Sequence, residues 1–259
     1  LRSGNGSVMR ASKEKRLGRI LEILEREEKM RVRALADELE ITPETLRSDL
    51  ADLVRMSVVE REHGYVRLGQ APQETPMAIR SGHHVQEKIA VAYAALSTVK
   101  DGQVIYVDAG STVLLGLQAL ARRRDLLVAT NSLPGALKLA QMNIRTLVVG
   151  GMAYNPGERT YGNFATSVVD HIQFDVVFLG TDGFQDARGF TTVHDNELGL
   201  KRHLIAQTEK VVVVCDRSKF HDKAPFMFCT FAEADLLVTN RLTEQERNEV
   251  DGVREILEV

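Results

Sequence analysis

The apolar residues of the first part of the chain recur at the spacing of amphipathic helices. Three short segments show this pattern, and each places its apolar residues on one helical face. The residues predicted to point inward are Leu17, Ile20, Leu21 and Leu24 in the first segment, Leu35, Ala36 and Leu39 in the second, and Leu46, Leu50, Leu53 and Val54 in the third. Thr42 and Pro43 predict the start of the third helix, because threonine is a good N-cap and proline suits the first helical position.

The segment after the third helix, "VVEREHGYVRL", predicts two short strands joined by a tight turn at His63 and Gly64. Three helices followed by a hairpin predict a winged helix-turn-helix over residues 13–68. The third helix of such a domain enters the major groove of DNA. A small helical domain used for dimerisation is the alternative. The helix cap, the tight turn before the third helix and the hairpin together favour DNA binding.

The pattern changes after residue 82, where helical and strand segments alternate to the end of the chain. Residues 69–82 contain Pro72, Pro76 and several small or polar residues, a composition typical of a linker. Residues 83–259 show repeated strand–helix units whose strands are continuously apolar, such as "VVVV". This pattern predicts a larger α/β domain with a mostly parallel sheet covered by helices on both faces.

Polar residues and glycines follow five of the predicted strands. Ligands of open α/β sheets bind beyond the carboxyl ends of the strands, so these residues predict one binding site. They are Asp108 to Thr112, Thr130 to Ser132, Gly150 and Gly151, Gly180 to Gly183, and Cys215 to Lys219.

The first of these strand ends, "VDAGST", is open to two interpretations, a simple helix cap or a cradle for an anion. Gly110 allows close approach to the backbone, and Ser111 and Thr112 offer hydroxyls and backbone N–H groups at a helix start. Together with the other strand ends, the loop favours a phosphate. Asp182 and Asp108 are candidate acceptors for sugar hydroxyls, and Lys219 is a candidate partner for a phosphate or sugar oxygen. For Arg159 the sequence leaves two alternatives, a second phosphate ligand or a surface charge.

Length and composition exclude several classes of protein. The 259 residues suggest two domains, and no stretch of about 18 apolar residues predicts a membrane span. With no visible signal peptide, we expect a cytoplasmic protein whose cysteines, Cys215 and Cys229, are reduced thiols. His83 and His84 lie beside the linker, and the remaining candidates show no metal-ligand spacing, so we expect neither a metal site nor a cofactor; those candidates are His171, His194, His203 and His221.

The charge pattern does not mark the chain as basic, since its net charge is −3. Residues 1–70 carry nearly equal numbers of basic and acidic side chains, so a DNA-binding surface depends on how the charges are distributed. The candidate residues for contacts with DNA phosphates are Arg31, Arg33, Arg47, Arg55, Arg61 and Arg67. Each of them is equally well explained as a solvated surface charge.

Several motifs in order resemble one known family. The segment "ITPETLRSDLADL" resembles the recognition segment of the DeoR family of bacterial transcription regulators. Downstream, "EKIAVAYAAL", "VDAGST", "VATNS", "VVGG", "FLGTDGF" and "DRSKF" resemble the successive signatures of that family's sensor domain. The resemblance covers nearly the whole chain from about residue 13. The region "RGFTTVHDNELGLKR" looks closest to members that govern galactitol and N-acetylgalactosamine catabolism.

The resemblance implies a fold, a function and a set of site residues. The family's sensor domain is similar to ribose-5-phosphate isomerase and the CoA-transferases, and its members usually repress sugar operons until a phosphorylated sugar releases them from DNA. We therefore expect a transcriptional repressor that binds double-stranded operator DNA as a homodimer or homotetramer. The expected effector site comprises Asp108, Gly110, Ser111, Thr112, Thr130, Asn131, Gly150, Gly151, Asp182, Glu197 and Lys219. The expected DNA-binding residues are Thr42, Glu44, Thr45, Arg47, Ser48, Arg55, Arg61 and His63.

The chain departs from the family pattern at two positions that concern DNA. Ser48 stands where members often have a second arginine, and Tyr65 stands where the wing usually has a second glycine. The alternative function is a phosphosugar isomerase with an appended helix-turn-helix domain. The related isomerase loop reads Asp-Gly-Ala-Asp, whereas Asp182 here is followed by Gly183, Phe184 and Gln185, so one acid is missing. This loss favours a sensor without turnover. A redox or NAD sensor ranks last, because no GxGxxG motif is present.

Overall fold

The chain forms two compact units, Leu1–Val85 and Gln86–Val259. The structure, a computed structural model, describes residues 4–69 and 75–259, with side chains from residue 13 onward. The N-terminal unit is the smaller of the two and the C-terminal unit the larger. The boundary lies three residues beyond the end of the predicted linker.

The N-terminal unit has the winged helix-turn-helix architecture that the sequence predicts. Its elements are α1 (Gly4–Glu27), β1 (Lys29–Arg31), α2 (Val32–Glu38), α3 (Pro43–Arg55), β2 (Val59–Glu62), β3 (Tyr65–Leu68) and α4 (Met77–Arg80). The strands form an antiparallel sheet in the order β1-β3-β2, in which Lys29 pairs with Arg67 and Met30 with Val66. The strand β1 was not predicted, because three residues are too few to show a period-two pattern.

Two local predictions in this unit are confirmed by backbone geometry. Thr42 is the N-cap of α3, since its hydroxyl accepts a hydrogen bond from the Thr45 amide at 3.2 Å, and Pro43 is the first helical residue. His63 and Gly64, between β2 and β3, have φ angles of 48° and 83°. Positive φ at both central residues is the geometry of the type I′ turn that matches the twist of a hairpin.

The prediction that Val54 is buried is wrong. Val54 is 40% exposed and, with Ala51 and Arg55, lines a groove between α3 and the β2–β3 turn. The buried positions are instead Leu46, Asp49, Leu50 and Leu53, which follow the i, i+3, i+4, i+7 spacing of one helical face. The carboxylate of Asp49 completes this face because Arg16 of α1 neutralises it, with Nε–Oδ2 at 2.5 Å.

Part of the predicted linker belongs to the N-terminal unit. Residues 70–74 of the linker lie outside the described residues. Residues 77–80 form α4, and Ile79 is buried in the core that α1 and α3 share. A Cβ at Gly18 would collide with the Gly82 carbonyl, so the backbone after α4 lies directly against α1.

The C-terminal unit alternates strands and helices along the whole of its length. Its elements are α5 (Val85–Ser97), β4 (Val104–Val107), α6 (Ser111–Leu115), β5 (Leu127–Thr130), α7 (Leu133–Gln141), β6 (Arg145–Val148), β7 (Met152–Tyr154), β8 (Arg159–Tyr161), α8 (Asn163–Val169), β9 (Val176–Leu179), β10 (Gly189–Thr192), α9 (Asp195–Ala206), β11 (Val211–Val214), β12 (Phe226–Thr230), β13 (Leu236–Thr239), α10 (Glu244–Glu249) and β14 (Ile256–Glu258). Short 3-10 helices lie at Leu117–Arg122, Arg217–Phe220 and Phe231–Glu233.

A seven-stranded parallel sheet forms the centre of this unit, in the order β14-β13-β11-β9-β4-β5-β6. The central strands are buried along their whole length, and a separate apolar core covers each face. Two antiparallel pairs, β7-β8 and β10-β12, stand outside the sheet. The predicted α/β fold class is confirmed.

The order of the strands reverses between β4 and β9. From β4 the chain proceeds outward through β5 and β6, and it then returns to the other side of β4 with β9. Such a reversal separates the loops that follow the two strands and opens a crevice at their carboxyl ends.

Within residues 4–69 and 75–259, none of the helices combines the length and apolar character needed to cross a bilayer. Cys215 and Cys229 are both buried free thiols, as the sequence predicts.

Candidate functional site

The reversal point of the sheet brings together two of the predicted strand ends. Asp108 follows β4, and its Oδ2 accepts a hydrogen bond from the Gly180 amide after β9 at 2.9 Å. A Cβ at Gly110 would lie 3.6 Å from the Gly180 Cα, so the two loops are in van der Waals range. The predicted residues of these loops therefore do converge where an open α/β sheet binds its ligand.

A buried lysine, Lys201 of α9, connects these loops to a second carboxylate. Its Nζ lies 3.0 Å from Asp108 Oδ2 and 3.4 Å from Glu197 Oε2, and it donates to the Gly180 carbonyl at 2.8 Å. Burial lowers the pKa of Lys201, but the charges of Asp108 and Glu197 outweigh this effect and raise the pKa above its ordinary value. Lys201 is therefore a permanent cation inside the site.

Glu197 connects this lysine to a buried arginine. Glu197 Oε1 lies 2.7 Å from Arg159 Nε, and Arg159 is only 2% exposed. The guanidinium also lies over the Tyr154 ring, 4.7 Å from its centroid. Arg159 is thus a fixed part of the site and not a surface charge, which settles one of the two alternatives left open by the sequence.

Asp182 lies at the same carboxyl-end edge of the sheet, where β10 and the residue after it hold its side chain in place. Its Oδ2 accepts a hydrogen bond from the Val193 amide at 2.9 Å and lies 3.0 Å from the Thr192 hydroxyl. The same hydroxyl lies 2.6 Å from Glu197 Oε2. Two of the predicted carboxylates, Asp182 and Glu197, therefore lie next to one another, and they share the single hydrogen of the Thr192 hydroxyl.

The loop "DAGST" does not start its helix with a side-chain cap. The N-cap of α6 is Gly110, and Asp108 Oδ1 bonds to the Ala109 amide instead. Within the described part of the chain, the hydroxyls of Ser111 and Thr112 make no hydrogen bond. The first amides of a helix also have no partner inside it. The loop thus presents hydroxyl and N–H donors, as an anion requires.

The predicted residues after β5 and β6 mainly support the site through hydrogen bonds and close packing. The Thr130 hydroxyl accepts a hydrogen bond from the Ser132 amide at 3.1 Å, and the Asn131 side chain bonds to the Tyr106 hydroxyl at 2.7 Å. Gly151 has a φ angle of 131°, and a Cβ there would collide with the Tyr161 carbonyl. Gly150, by contrast, has open space where a side chain would stand.

Lys219 lies in the 3-10 helix after β11, next to the loop that carries Asp182. The Lys219 carbonyl accepts a hydrogen bond from the Phe184 amide at 3.2 Å, and its Nζ pairs with Asp222 at 2.7 Å. Burial lowers the pKa of Lys219, but the charges of Asp222, Asp216 and Asp182 outweigh this effect and raise the pKa above its ordinary value. Lys219 therefore remains charged, with Asp222 as its direct partner.

Sequence reasoning missed Lys201 and Thr192, and it left Arg159 undecided. The spacing of Glu197 and Lys201, four residues apart on a helix, was the one available signal, because such pairs face each other. Thr192 and Arg159 carried no comparable signal, since both act through partners on other elements.

The N-terminal unit presents the predicted DNA-binding residues along α3 and the β2–β3 turn. Arg47 and Arg55 are exposed and pair with Glu44 and Asp52 on the same helix. Thr42 and Thr45 bond to each other at the helix start, so they act in the cap. Glu44, Ser48, Arg61 and His63 are exposed.

Tyr65, the departure from the family's wing pattern, has a structural role. Its hydroxyl accepts a hydrogen bond from Arg31 Nε at 2.8 Å, and Lys29 Nζ lies 4.8 Å from its ring centroid. The ring therefore ties two basic residues of β1 to the wing.

A winged helix-turn-helix unit followed by an α/β unit with a charged site at its sheet reversal defines a ligand-responsive transcription regulator. The family models agree with this class: a DeoR-like helix-turn-helix domain matches residues 16–70, and a DeoR C-terminal sensor domain matches residues 83–241. The chain belongs to the DeoR family of transcription regulators.

Relatives with related names match nearly the full chain. The HTH-type transcriptional regulator GlpR of Haloferax volcanii is 28% identical over 90% of this chain and 92% of its own. The glycerol-3-phosphate regulon repressor of Escherichia coli (strain K12) is 23% identical over 85% of this chain and 88% of its own. Among solved structures, ribose 5-phosphate isomerase A from Neisseria gonorrhoeae is 20% identical over 51% of this chain and 52% of its own, with a TM-score of 0.37.

Proposed function

We propose that the protein represses a sugar-catabolism operon and that a phosphorylated sugar, bound at the sheet reversal, releases it from operator DNA. Repressors of this kind act on DNA in the cytoplasm as symmetric oligomers, whose paired recognition helices match two half-sites. We infer a homodimer or homotetramer here. The name of the relative that represses the glycerol-3-phosphate regulon supports a phosphorylated polyol as the chemical class of effector.

The observation that carries the proposal is the contrast between two parts of the sheet-reversal site. Lys201 and Arg159 are each paired with a carboxylate, so these two cations are held in place before any ligand arrives. The "DAGST" loop beside it offers the hydroxyls of Ser111 and Thr112, which have no hydrogen-bond partner among the described residues. A phosphate bound by Ser111 and Thr112 satisfies those donors.

The sugar part of the ligand requires acceptors and donors at fixed positions. Asp182 and Glu197 supply carboxylate oxygens, oriented by the Val193 amide and by Arg159 respectively. Carboxylates bind vicinal hydroxyls well, and pre-oriented groups lose little entropy on binding. We assign the polyol to this side of the site and the phosphate to the loop.

The same geometry argues against turnover. Proton transfer by a carboxylate requires an oxygen free to take the proton in reach of the substrate. Both oxygens of Asp108 are engaged, with Ala109, Gly180 and Lys201. Gln185 stands where the related isomerase loop has its second acid, and an amide does not take up a proton as a carboxylate does. We infer that the protein senses the phosphosugar without converting it.

The test is a thermal-shift screen with glycerol 3-phosphate, galactitol phosphate, N-acetylgalactosamine 6-phosphate and the matching free compounds. A ligand that binds the native state raises the melting temperature. We expect one phosphorylated compound to do so and its free form not to. The double variant Ser111→Ala/Thr112→Ala should lose the shift, while Ser167→Ala, an exposed serine on α8, should keep it.

The same compound should weaken binding to a duplex selected from a random DNA pool, measured by gel shift. If the ligand still raised the melting temperature of the Ser111→Ala/Thr112→Ala variant, the phosphate would not be bound by these two hydroxyls. Steady conversion of the compound, followed by NMR, would replace the sensor with the isomerase alternative.

A further inference from the structure

A second cluster of polar groups lies in the N-terminal unit, away from α3 and the wing. Glu25 of α1 meets His83 and His84, two residues just after α4. Glu25 Oε2 lies 3.2 Å from His83 Nε2 and 3.0 Å from His84 Nε2. The three ligand atoms all lie within 4.8 Å of one another. The two imidazole rings are 4.1 Å apart and tilted by 44°.

These distances match the edges of a small coordination polyhedron. With Zn–N and Zn–O bonds of about 2.0–2.1 Å, the ligand atoms of a tetrahedral site lie about 3.4 Å apart. Both Glu25–histidine distances are within a few tenths of an ångström of that value. The third edge, between the two imidazole nitrogens, is no longer than 4.8 Å.

The backbone holds all three residues in place. Gly82 lies so close to α1 that a Cβ would collide with the Glu14 carbonyl. The His84 amide donates to Glu22 Oε1 at 3.0 Å, which ties the second histidine to the same helix. The side chains of Glu25, His83 and His84 are 40%, 15% and 25% exposed, so the cluster is partly desolvated and still open on one side.

We propose that Glu25, His83 and His84 bind a divalent transition-metal ion, with Zn²⁺ as the best fit and a water molecule as the fourth ligand. Two imidazole nitrogens exclude the oxygen-seeking ions Mg²⁺ and Ca²⁺ and suit zinc and its neighbours. One carboxylate and an open fourth position complete the set. This replaces the expectation, drawn from the sequence, that the histidines form no metal site.

A bound metal would join the end of α1 to the two residues that directly precede α5 in the chain. Because the ligands come together only in the folded unit, metal binding would stabilise that unit. The site would thus regulate the stability of the DNA-binding unit independently of the phosphosugar.

The competing interpretation is a metal-free cluster in which each imidazole donates an Nε2–H to Glu25. Glutamine separates the two interpretations, because its amide nitrogen can still donate that hydrogen bond but is a poor ligand for zinc. His83→Gln and His84→Gln are therefore the test variants. His171→Gln, which changes an exposed histidine of the C-terminal unit, is the matched control.

The experiment uses the full chain without an affinity tag, stripped with a chelator and then titrated with Zn²⁺ against a chromophoric competitor. We expect one tight equivalent in the unchanged chain and in His171→Gln. Affinity should fall by at least about 100-fold in each test variant, since even indirect partners of a metal ligand are worth 10–100-fold. Circular dichroism should show that the apo variants keep their fold.

A second readout does not depend on the variants. Co²⁺ in a tetrahedral nitrogen–oxygen site gives visible d–d bands of high intensity, and we expect these in the unchanged chain at one equivalent. Equal Zn²⁺ affinity in the test variants and the control, or Co²⁺ spectra of a purely aqueous octahedral ion, would overturn the proposal in favour of the hydrogen-bonded cluster.

Discussion

The recognition helix α3 and the sheet-reversal site, one in each unit, hold ion pairs in opposite environments. On α3 of the N-terminal unit, Arg47 and Glu44 form a pair whose side chains are 62% and 75% exposed. In the C-terminal unit, the Lys201–Asp108 pair is only 5% and 8% exposed. The same chemistry is therefore used on a surface in one unit and inside a site in the other.

The difference in burial indicates what each set of charges does. Exposed pairs contribute little to stability and exchange partners readily, so they are available to DNA phosphates. Buried pairs contribute rigidity, and breaking one leaves an unpaired charge away from water. The exposed pairs on α3 are thus accessible to a partner, whereas the sheet-reversal site uses its charges to fix its own geometry.

The largest effect should follow from Lys201→Met, which leaves Asp108 without its buried cation. We expect the free energy of unfolding of the C-terminal unit to fall by about 3–5 kcal/mol, the cost of breaking a buried ion pair. Urea denaturation followed by circular dichroism measures it. Lys138→Met, on the exposed face of α7, is the control and should change stability by no more than about 0.5 kcal/mol. A loss no larger than that of the control would show that the buried Lys201 pair stabilises the protein no more than an exposed charge does.

A smaller loss should follow from Asp49→Asn, because the N-terminal unit has one buried carboxylate on its recognition helix. Asp49 bonds to Arg16 through Nε at 2.5 Å and Nη2 at 3.1 Å. Removing a charged hydrogen bond of this kind should cost about 1.5–3 kcal/mol. Asp52→Asn, on the same helix but more exposed, should cost less than about 1 kcal/mol. Equal losses in thermal denaturation would show that burial does not decide the effect.

The dependence of stability on pH should show the contribution of Glu246 in the C-terminal unit. Burial raises the pKa of Glu246, but hydrogen bonds from Arg217 and the Thr243 amide outweigh this and lower it to about 2. Because the pKa is lower in the folded state, the stability it contributes is present above about pH 4.5 and is lost as the pH falls toward 2.

We expect this contribution to be about 1–2 kcal/mol, since solvent screens the half-exposed Arg217. Melting temperatures between pH 7 and pH 3 measure it. Glu246→Gln should flatten the acid limb of the curve, whereas Glu244→Gln, exposed in the first turn of the same helix, should leave it unchanged. An unchanged limb in Glu246→Gln would assign the acid sensitivity to other carboxylates.

The smallest effect on stability should come from Arg47→Ala and Arg55→Ala. We expect changes within about 0.5 kcal/mol, as for most exposed residues. DNA affinity should nevertheless fall, and the salt dependence of binding should lose about one counterion for each lost phosphate contact. Gel shifts at several salt concentrations measure this, with the exposed Arg254→Ala of the C-terminal unit as the control. A salt slope equal to the control's would place the DNA contacts elsewhere.

Much of this architecture was predictable because it follows from local pattern. The spacing of apolar residues predicted the three helices of the N-terminal unit, and Thr42 and the His63–Gly64 turn set local boundaries that the structure confirms. The continuous apolar strands predicted the parallel sheet. The strand-end rule then predicted that Asp108 and the Gly180 loop would meet.

The sequence by itself therefore determined the elements, their order and the edge of the sheet where polar residues collect, since each depends on neighbours along the chain. Only the tertiary structure decided which charges pair. It buried Asp49 and exposed Val54, placed Lys201 between two carboxylates, and brought His83 to Glu25, 58 residues earlier. A carboxylate or an imidazole carries no sequence signal for its distant partner, because burial and packing, which make such pairs strong, arise only when separate elements meet.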